Sequence, residues 1–175
     1  VMFSCQSPKS NSTKEEAAGI DSMAPNPFIT HMYTADPSAH VWADGRLYVY
    51  ASHDIDPPRG CDLMDRYHVF STDDMVNWTD HGTIAVSGNK GAAKWSANSW
   101  APAVCHKKIN GKEKFFLYFA NNASSIGVLT ADSPTGPWTD PIGKPIIDRS
   151  ITGCAESEIG WLFDPAVLVD DDGTG

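Results

Sequence analysis

The sequence predicts an all-β protein built from a repeated unit. Runs rich in aromatic and β-branched residues, such as 46–52 and 114–120, each follow a turn that contains glycine. No stretch keeps the 3.6-residue spacing of an amphipathic helix. Two short motifs recur along the chain with nearly constant spacing. Together these observations favour a fold of equivalent small sheets over a helical or mixed architecture.

The first recurring motif is centred on a proline. Pro37, Pro102 and Pro165 are 65 and then 63 residues apart, and each is followed by small and apolar residues. The second motif, Trp-Thr-Asp, begins at Trp78 and recurs at Trp138, 60 residues later. A period of about sixty residues is too long for a helical solenoid but is typical of a four-stranded propeller blade with long loops.

The predicted strands follow the repeat. In chain order they are 46–52, 67–72, 103–109, 114–120 and 126–131. An apolar run at 166–169 leads into an acidic turn and is predicted to be the first strand of a third blade. A lone first strand would leave an unpaired edge, so the chain is expected to be a fragment with two blades and the start of another.

The first 24 residues differ in composition from the rest. Residues 1–5 resemble the end of an apolar leader that closes on a cysteine, and 6–23 are rich in Ser, Lys, Glu and Ala. We therefore divide the chain into a leader remnant with a flexible tether (1–24) and a partial propeller domain (25–175). This pattern resembles a bacterial lipoprotein cleavage site, at which Cys5 would be lipidated and the protein exported as a periplasmic or cell-surface lipoprotein. The alternative is an incidental cysteine in a disordered tail.

Composition narrows the class of partner. The net charge of −9, without a basic stretch, argues against nucleic acid. No apolar run approaches twenty residues, so membrane attachment is expected only through a lipid anchor. Six Trp and five Tyr provide aromatic faces for stacking on sugar rings, although propeller core packing accounts for them equally well.

Two of the three proline motifs carry an aspartate directly before the proline. In a radial fold, equivalent positions converge on one axis, so Asp36 and Asp164 are expected to meet there. Paired carboxylates at the mouth of a funnel are the groups that glycoside hydrolysis requires. The alternative is that both are turn residues before proline, with no chemical role.

Four motifs, in this order and at these distances, resemble glycoside hydrolase family 43. They are Asp36-Pro37-Ser38, Ser52-His53-Asp54, Trp100-Ala101-Pro102 and Phe163-Asp164-Pro165. The resemblance covers about residues 26–175 and implies a five-bladed β-propeller, with blades one and two and the first strand of blade three present here. It also implies an inverting α-L-arabinofuranosidase or β-xylosidase that acts on arabinose- or xylose-containing plant polysaccharides or oligosaccharides.

The resemblance implies a role for each carboxylate. Asp36 would be the general base, and Asp164 would raise the pKa of the general acid and orient it. The family's general acid is a Glu that follows the third-blade motif, whereas Glu156 and Glu158 precede Asp164. The general acid is therefore expected to be absent from these 175 residues, which alone should be inactive.

Further residues resemble sugar-contacting positions of the family. They are His53, Trp100, Phe163, Asp54 and Asn98. Loop placement for His53 and core packing for the aromatics are the structural alternatives. No cofactor is needed for the chemistry and no metal-ligating spacing is present, although the family often holds a calcium ion at the axis, whose protein ligand would lie outside this sequence.

Two other functions remain open from the sequence. One is a noncatalytic glycan-binding propeller that kept its aromatic surfaces and lost its acid. The other is a related five-bladed enzyme that acts on fructans, although the Trp-Met-Asn-Asp-Pro opening of that group is absent here.

Overall fold

The computed structural model describes residues 27–55 and 63–175. It contains seven strands: β1 Thr34–Val41, β2 Leu47–His53, β3 Arg66–Thr72, β4 Thr79–Ala85, β5 Trp100–Ile109, β6 Lys112–Asn121 and β7 Ser125–Ala131. No α-helix occurs in the described ranges, which confirms the all-β prediction. Among these residues no helix is long and apolar enough to cross a membrane. Cys5 and the tether lie outside the described residues.

The strands form two antiparallel sheets in which sequence neighbours pair. The first has the order β1-β2-β3-β4 and the second the order β5-β6-β7. Asn110 and Gly111, with φ of 50° and 78°, connect β5 to β6 in the left-handed conformation that a tight hairpin needs. Because each connection is a hairpin, every sheet is one local unit, as expected for a blade.

The sequence does not predict two of the seven strands. In β1, a bulge between Ala35 and Ser38 interrupts the alternation of side chains. In β4, most side chains are exposed, so the strand lacks an apolar face. Where the first blade has β4, the described part of the second blade has two isolated bridges on β7, Thr130 to Thr139 and Ile126 to Ile147.

The predicted strand 166–169 shows alternating burial but no ladder. Val167 and Val169 are half-buried, whereas Leu168 between them is exposed. This segment has no strand partner among the described residues, so it is not a sheet strand in the structure. The alternating burial is that of an extended segment, whereas the hydrogen bonds that define a strand depend on a neighbouring strand.

The core lies between the two sheets. Its buried cluster draws on both blades: Trp42, Tyr48, Tyr50, Tyr67, Val69, Ile84, Val86, Ala93, Val104, Phe115, Leu117, Phe119, Leu129 and Ala131. The Tyr50 hydroxyl crosses the interface and donates to the Pro134 carbonyl oxygen at 2.7 Å. Most of the driving force for docking the blades is this aromatic burial, because large aromatic side chains remove the most apolar surface from water. Cys105 is buried and packs as a small apolar residue.

The residue before each repeat proline adopts a left-handed backbone. Asp36, Ala101 and Asp164 have φ of 47°, 25° and 49°. This region is disfavoured for any residue with a Cβ, so the surrounding structure must hold it. In β1 and β5 it coincides with a bulge, which redirects the side chain out of the strand's regular alternation.

The three repeats meet at one cavity. Pro37, Pro102 and Pro165 line a space of about 230 Å³ together with the residues that follow them. The amide of Val104 on β5 also donates to the Ser38 hydroxyl on β1 at 3.1 Å, joining the first strands of the two blades. The predicted convergence of equivalent positions on one axis is therefore confirmed.

Candidate active site

Three aspartates come from separate parts of the chain to one end of the blades. Asp36 lies in the bulge of β1, and Asp54 directly follows β2, whose last residue pairs with the first residue of β1. The Asp54 amide donates to the Tyr33 carbonyl oxygen at 3.1 Å, which holds Asp54 beside the start of β1. Asp164 opens the third repeat. The repeat predicts the meeting of Asp36 with Asp164, whereas Asp54 is brought in by strand pairing.

The charge of Asp36 acts on both of the other aspartates. Burial and then the Asp36 carboxylate raise the pKa of Asp164 above its ordinary value. The pKa of Asp54 is raised by the same two causes, and His53 partly opposes the shift. The structure therefore brings Asp36, Asp54 and Asp164 into one electrostatic cluster, in which the charge of Asp36 disfavours ionisation of the other two carboxyl groups.

Tyr67 lies beneath this cluster and is not singled out by the sequence. It is fully buried on β3, and its hydroxyl donates to the Trp100 carbonyl oxygen at 2.8 Å. Its pKa is raised well above the ordinary value, chiefly by burial and also by the charge of Asp36, so the hydroxyl keeps its proton. In the sequence Tyr67 is indistinguishable from a core aromatic residue of a strand. Its hydrogen bond to Trp100 becomes visible only in the folded structure.

His53 is half-buried at the end of β2, next to Asp54. Burial, followed by the nearby charges of Arg66 and His68, lowers its pKa, so the ring is neutral near pH 7. Its Nδ1 atom has no hydrogen-bond partner among the described residues. A neutral imidazole both donates and accepts hydrogen bonds, which suits contact with sugar hydroxyl groups.

The aromatic candidates occupy two different environments. Trp100 begins β5 and is half-buried. Phe163 is 38% exposed and packs near Trp161, which is 66% exposed; the ring centroids are 5.3 Å apart. Two exposed aromatic rings thus lie just before Asp164 in the chain and present an apolar surface to solvent. The sequence leaves Trp161 out because it lies before the repeat motif.

Two further groups that the sequence analysis names, Asn98 and Glu158, make hydrogen bonds within the protein. Asn98 is buried, and its backbone amide donates to Asn121 Oδ1 at 3.3 Å. Glu158 accepts hydrogen bonds from the amides of Gly153 and Ala155 at 3.0 and 3.4 Å, so its carboxylate supports the loop. That Glu158 is not the general acid remains a prediction. A contact of Asn98 with sugar remains a prediction.

No group of three or more His, Cys, Asp or Glu side chains in residues 27–55 and 63–175 could hold a metal ion. The family resemblance places the protein ligand of a calcium ion outside this sequence. The presence of that ion at the axis remains a prediction.

The aspartate cluster can perform proton transfer. An ionised carboxylate can accept a proton from water. A second carboxylate disfavours ionisation of a nearby acid, so that acid stays protonated. Aromatic rings beside such a cluster can stack on an apolar sugar face. The arrangement suits hydrolysis of a polyhydroxylated substrate.

Comparison with known proteins agrees with this chemistry. The model of glycosyl hydrolases family 43 matches residues 24–175. An arabinoxylan arabinofuranohydrolase from Paenibacillus polymyxa is 54% identical over 164 residues, which cover 86% of this chain and 25% of that protein.

Solved structures agree as well. The crystal structure of a glycoside hydrolase family 43 arabinoxylan arabinofuranohydrolase from Bacillus subtilis, in complex with cellotetraose, matches with a TM-score of 0.77 and 53% identity. The match covers 86% of this chain and 33% of that one. An α-L-arabinofuranosidase from Clostridium thermocellum matches with a TM-score of 0.63 and 42% identity, over 84% and 47% of the two chains.

The chain spans a quarter to about half of the length of these relatives. Its two sheets are the first two blades of a five-bladed propeller, as the sequence predicts. With the family model matching most of its length, the chain belongs to glycosyl hydrolases family 43.

Proposed function

We propose that the protein containing this chain is an inverting glycosidase that releases arabinose or xylose units from plant arabinoxylan or its oligosaccharides. The observation that carries the proposal is the electrostatic cluster of Asp36, Asp54 and Asp164 at one end of the blades. The relatives named as arabinoxylan arabinofuranohydrolases, at 53–54% identity, support the substrate class.

Asp36 acts as the general base in this proposal. Inversion requires a carboxylate that takes a proton from water while an acid on the other face protonates the leaving oxygen, with about 6.5–9.5 Å between the two groups. Asp36 lies in a bulge, so its side chain leaves the regular alternation of β1. Its exposure leaves room for a water molecule between the carboxylate and the sugar.

Asp164 acts on the general acid. A carboxylate near a second acid disfavours ionisation of that acid and keeps it protonated near neutrality. The raised pKa of Asp164 itself shows that burial and negative charge already disfavour ionisation at this point. The general acid is proposed to be a Glu beyond this sequence, as the family resemblance implies.

The remaining candidates bind the sugar. Neutral His53 exchanges hydrogen bonds with hydroxyl groups, and Asp54 accepts from them. Trp100 provides an apolar floor and Phe163 a wall. Asn98 contributes only if a rearrangement exposes its side chain, because it is buried in the structure.

The test is Asp36→Asn in the full-length protein, assayed on an aryl arabinofuranoside and on arabinoxylan. We expect kcat to fall by about 10²–10⁴-fold while KM changes little, because the base acts mainly in the transition state. Azide should partly restore turnover and give a glycosyl azide of inverted configuration. The matched control is Asp73→Asn, an exposed aspartate paired with Arg46 at the opposite end of the blade, which should retain normal kcat.

A noncatalytic glycan-binding propeller is the second candidate, favoured by the exposed pair Trp161 and Phe163. Its outcome in the same experiment is distinct: binding of xylan oligosaccharides without turnover in the wild-type protein. A fructan-active enzyme would instead hydrolyse fructans and leave arabinofuranosides intact.

We also propose that the protein is exported and anchored through a lipid on Cys5, as the leader-like composition of 1–5 suggests. Expression in a bacterium fed an alkyne fatty acid should label the wild-type protein and leave Cys5→Ser unlabelled. Label on the Cys5→Ser variant would contradict this assignment.

A further inference from the structure

Arg149 binds four carbonyl oxygens at once. Its Nη1 donates to Ile159 at 2.7 Å and to Cys154 at 3.3 Å. Its Nη2 donates to Ala123 at 2.6 Å and to Gly160 at 3.0 Å. Three of these carbonyls belong to the loop after Arg149, and Ala123 belongs to the turn between β6 and β7. The side chain therefore ties one loop both to itself and to blade two.

The guanidinium has no carboxylate partner among the described residues. Arg149 is half-buried under a largely exposed loop, and its charge is directed at backbone carbonyl oxygens, whose partial negative charges it satisfies. Only the planar fork of arginine offers enough directed donors for this arrangement, since a lysine ammonium has three donors on a single atom.

The loop is attached to blade two again just before the acidic cluster. The Leu162 amide donates to the Ala123 carbonyl oxygen at 3.0 Å, so one oxygen accepts from both Leu162 and Arg149. Phe163 and Asp164 follow directly. At the other end of the loop, Ile147 bridges to Ile126 on β7.

We propose that Arg149 is a positioning residue for the active site. By holding loop 150–163 on the β6–β7 turn, it fixes the point from which Phe163 and Asp164 enter the site. Its effect on catalysis rests on the role given to Asp164 under the proposed function. Its effect on the loop does not, and the two can be measured separately.

The first measurement is hydrogen–deuterium exchange of loop 150–163 in the full-length protein. Arg149→Ala should raise exchange of the Leu162 amide at least tenfold, and Arg149→Lys should raise it almost as much, because lysine cannot reproduce the fork. The matched control is Arg46→Ala. Arg46 also binds several acceptors, including the Ser71 carbonyl oxygen and Thr79 Oγ1, but at the opposite end of blade one. It should leave loop exchange unchanged.

The second measurement is a double-mutant comparison. Arg149→Ala should lower kcat/KM roughly 10- to 100-fold, as expected for a misplaced catalytic constellation. Combined with Asp164→Asn, it should cost less than the product of the two single effects, because both act through the same carboxylate. Arg149→Ala should also shift the same limb of the pH–rate profile as Asp164→Asn. A merely structural arginine would lower Tm without that shift.

Two outcomes overturn the proposal. Unchanged exchange in Arg149→Ala would show that loop 150–163 keeps its position without Arg149, regardless of the kinetic result. Increased exchange with fully multiplicative kinetic effects and an unshifted pH profile would show that the loop does not position Asp164. If Asp164→Asn itself has normal kinetics, the proposed function fails, and the exchange result still decides whether Arg149 holds the loop.

Discussion

Asp36 and Asp164, 128 positions apart in the sequence, share one electrostatic environment. Burial and the charge of Asp36 together raise the pKa of Asp164. Each aspartate occupies the same position of its repeat, before a proline and in a left-handed conformation. The coupling therefore follows from the convergence of repeats on one axis.

Asp36→Asn should lower the pKa of both Asp164 and Asp54. Burial remains in the variant, so each pKa should stay above its ordinary value. Carbon-13 NMR titration of the side-chain carboxyl groups measures this directly. Unchanged pKa values would show that Asp36 is too far away to act on them.

The same variant should be more stable than the wild type at neutral pH. A carboxyl group whose pKa is raised on folding favours the native state at low pH, and that contribution is lost as pH rises from the ordinary value of about 4 through the raised value. Removing the Asp36 charge should therefore increase the free energy of unfolding by on the order of 0.5 kcal/mol at pH 7 and by nothing at pH 3. Urea unfolding at both pH values provides the measurement.

Tyr67→Phe should reduce stability by about 1 kcal/mol, because it removes the donor to the Trp100 carbonyl oxygen from a buried site. The midpoint of urea unfolding should fall with an unchanged slope. Tyr33→Phe is the control, since Tyr33 is exposed and should be near neutral. Equal midpoints for Tyr67→Phe and wild type would mean that the hydroxyl contributes nothing net.

His40 should make the blade interface sensitive to acid. It stacks on Trp42 at 4.7 Å, and burial, followed by the charge of His106, lowers its pKa. A histidine with a depressed pKa stabilises the native state above its ordinary value of about 6.5, and that contribution is lost as pH falls. His40→Gln should therefore lose less Tm between pH 7.5 and 5.5 than wild type. An equal loss of Tm in His40→Gln and wild type would contradict this role.

Gly127→Ala should destabilise the second blade by about 1–3 kcal/mol. A Cβ at Gly127 would lie 2.3 Å from Phe119 Cζ and 2.9 Å from Trp95 Cζ2, inside a buried contact. Gly160→Ala, where a Cβ meets nothing within 4 Å, should be almost neutral. Thermal unfolding of both variants tests the pair, and equal Tm values would rule out overpacking.

Local patterns predict the strands that bury side chains, namely β2, β3 and β5–β7, because apolar runs and glycine turns encode them directly. The sequence does not predict β4, because most of its side chains are exposed and its extended conformation depends mainly on pairing with β3. It does not predict β1 because the bulge of that strand breaks the alternation at Pro37.

For the site, repeat spacing alone predicts that Asp36 and Asp164 meet. It does not reveal Tyr67, whose hydroxyl contact depends on the path of the segment that leads to Trp100. It does not reveal the role of Arg149 either. The Arg149 side chain donates to backbone carbonyl oxygens, which every residue has, so no residue type in the sequence marks its partners. Contacts that involve loop backbone are therefore the part of the site that sequence patterns do not predict.

Ala101 has a consequence for how such a protein can evolve. It occupies the same disfavoured turn as Asp36 and Asp164 but brings no carboxylate. The architecture thus retains the turn whether or not a reactive group stands on it. Repetition of the blade can therefore preserve one backbone turn while its side chain is an exposed carboxylate in one repeat and a buried methyl group in another.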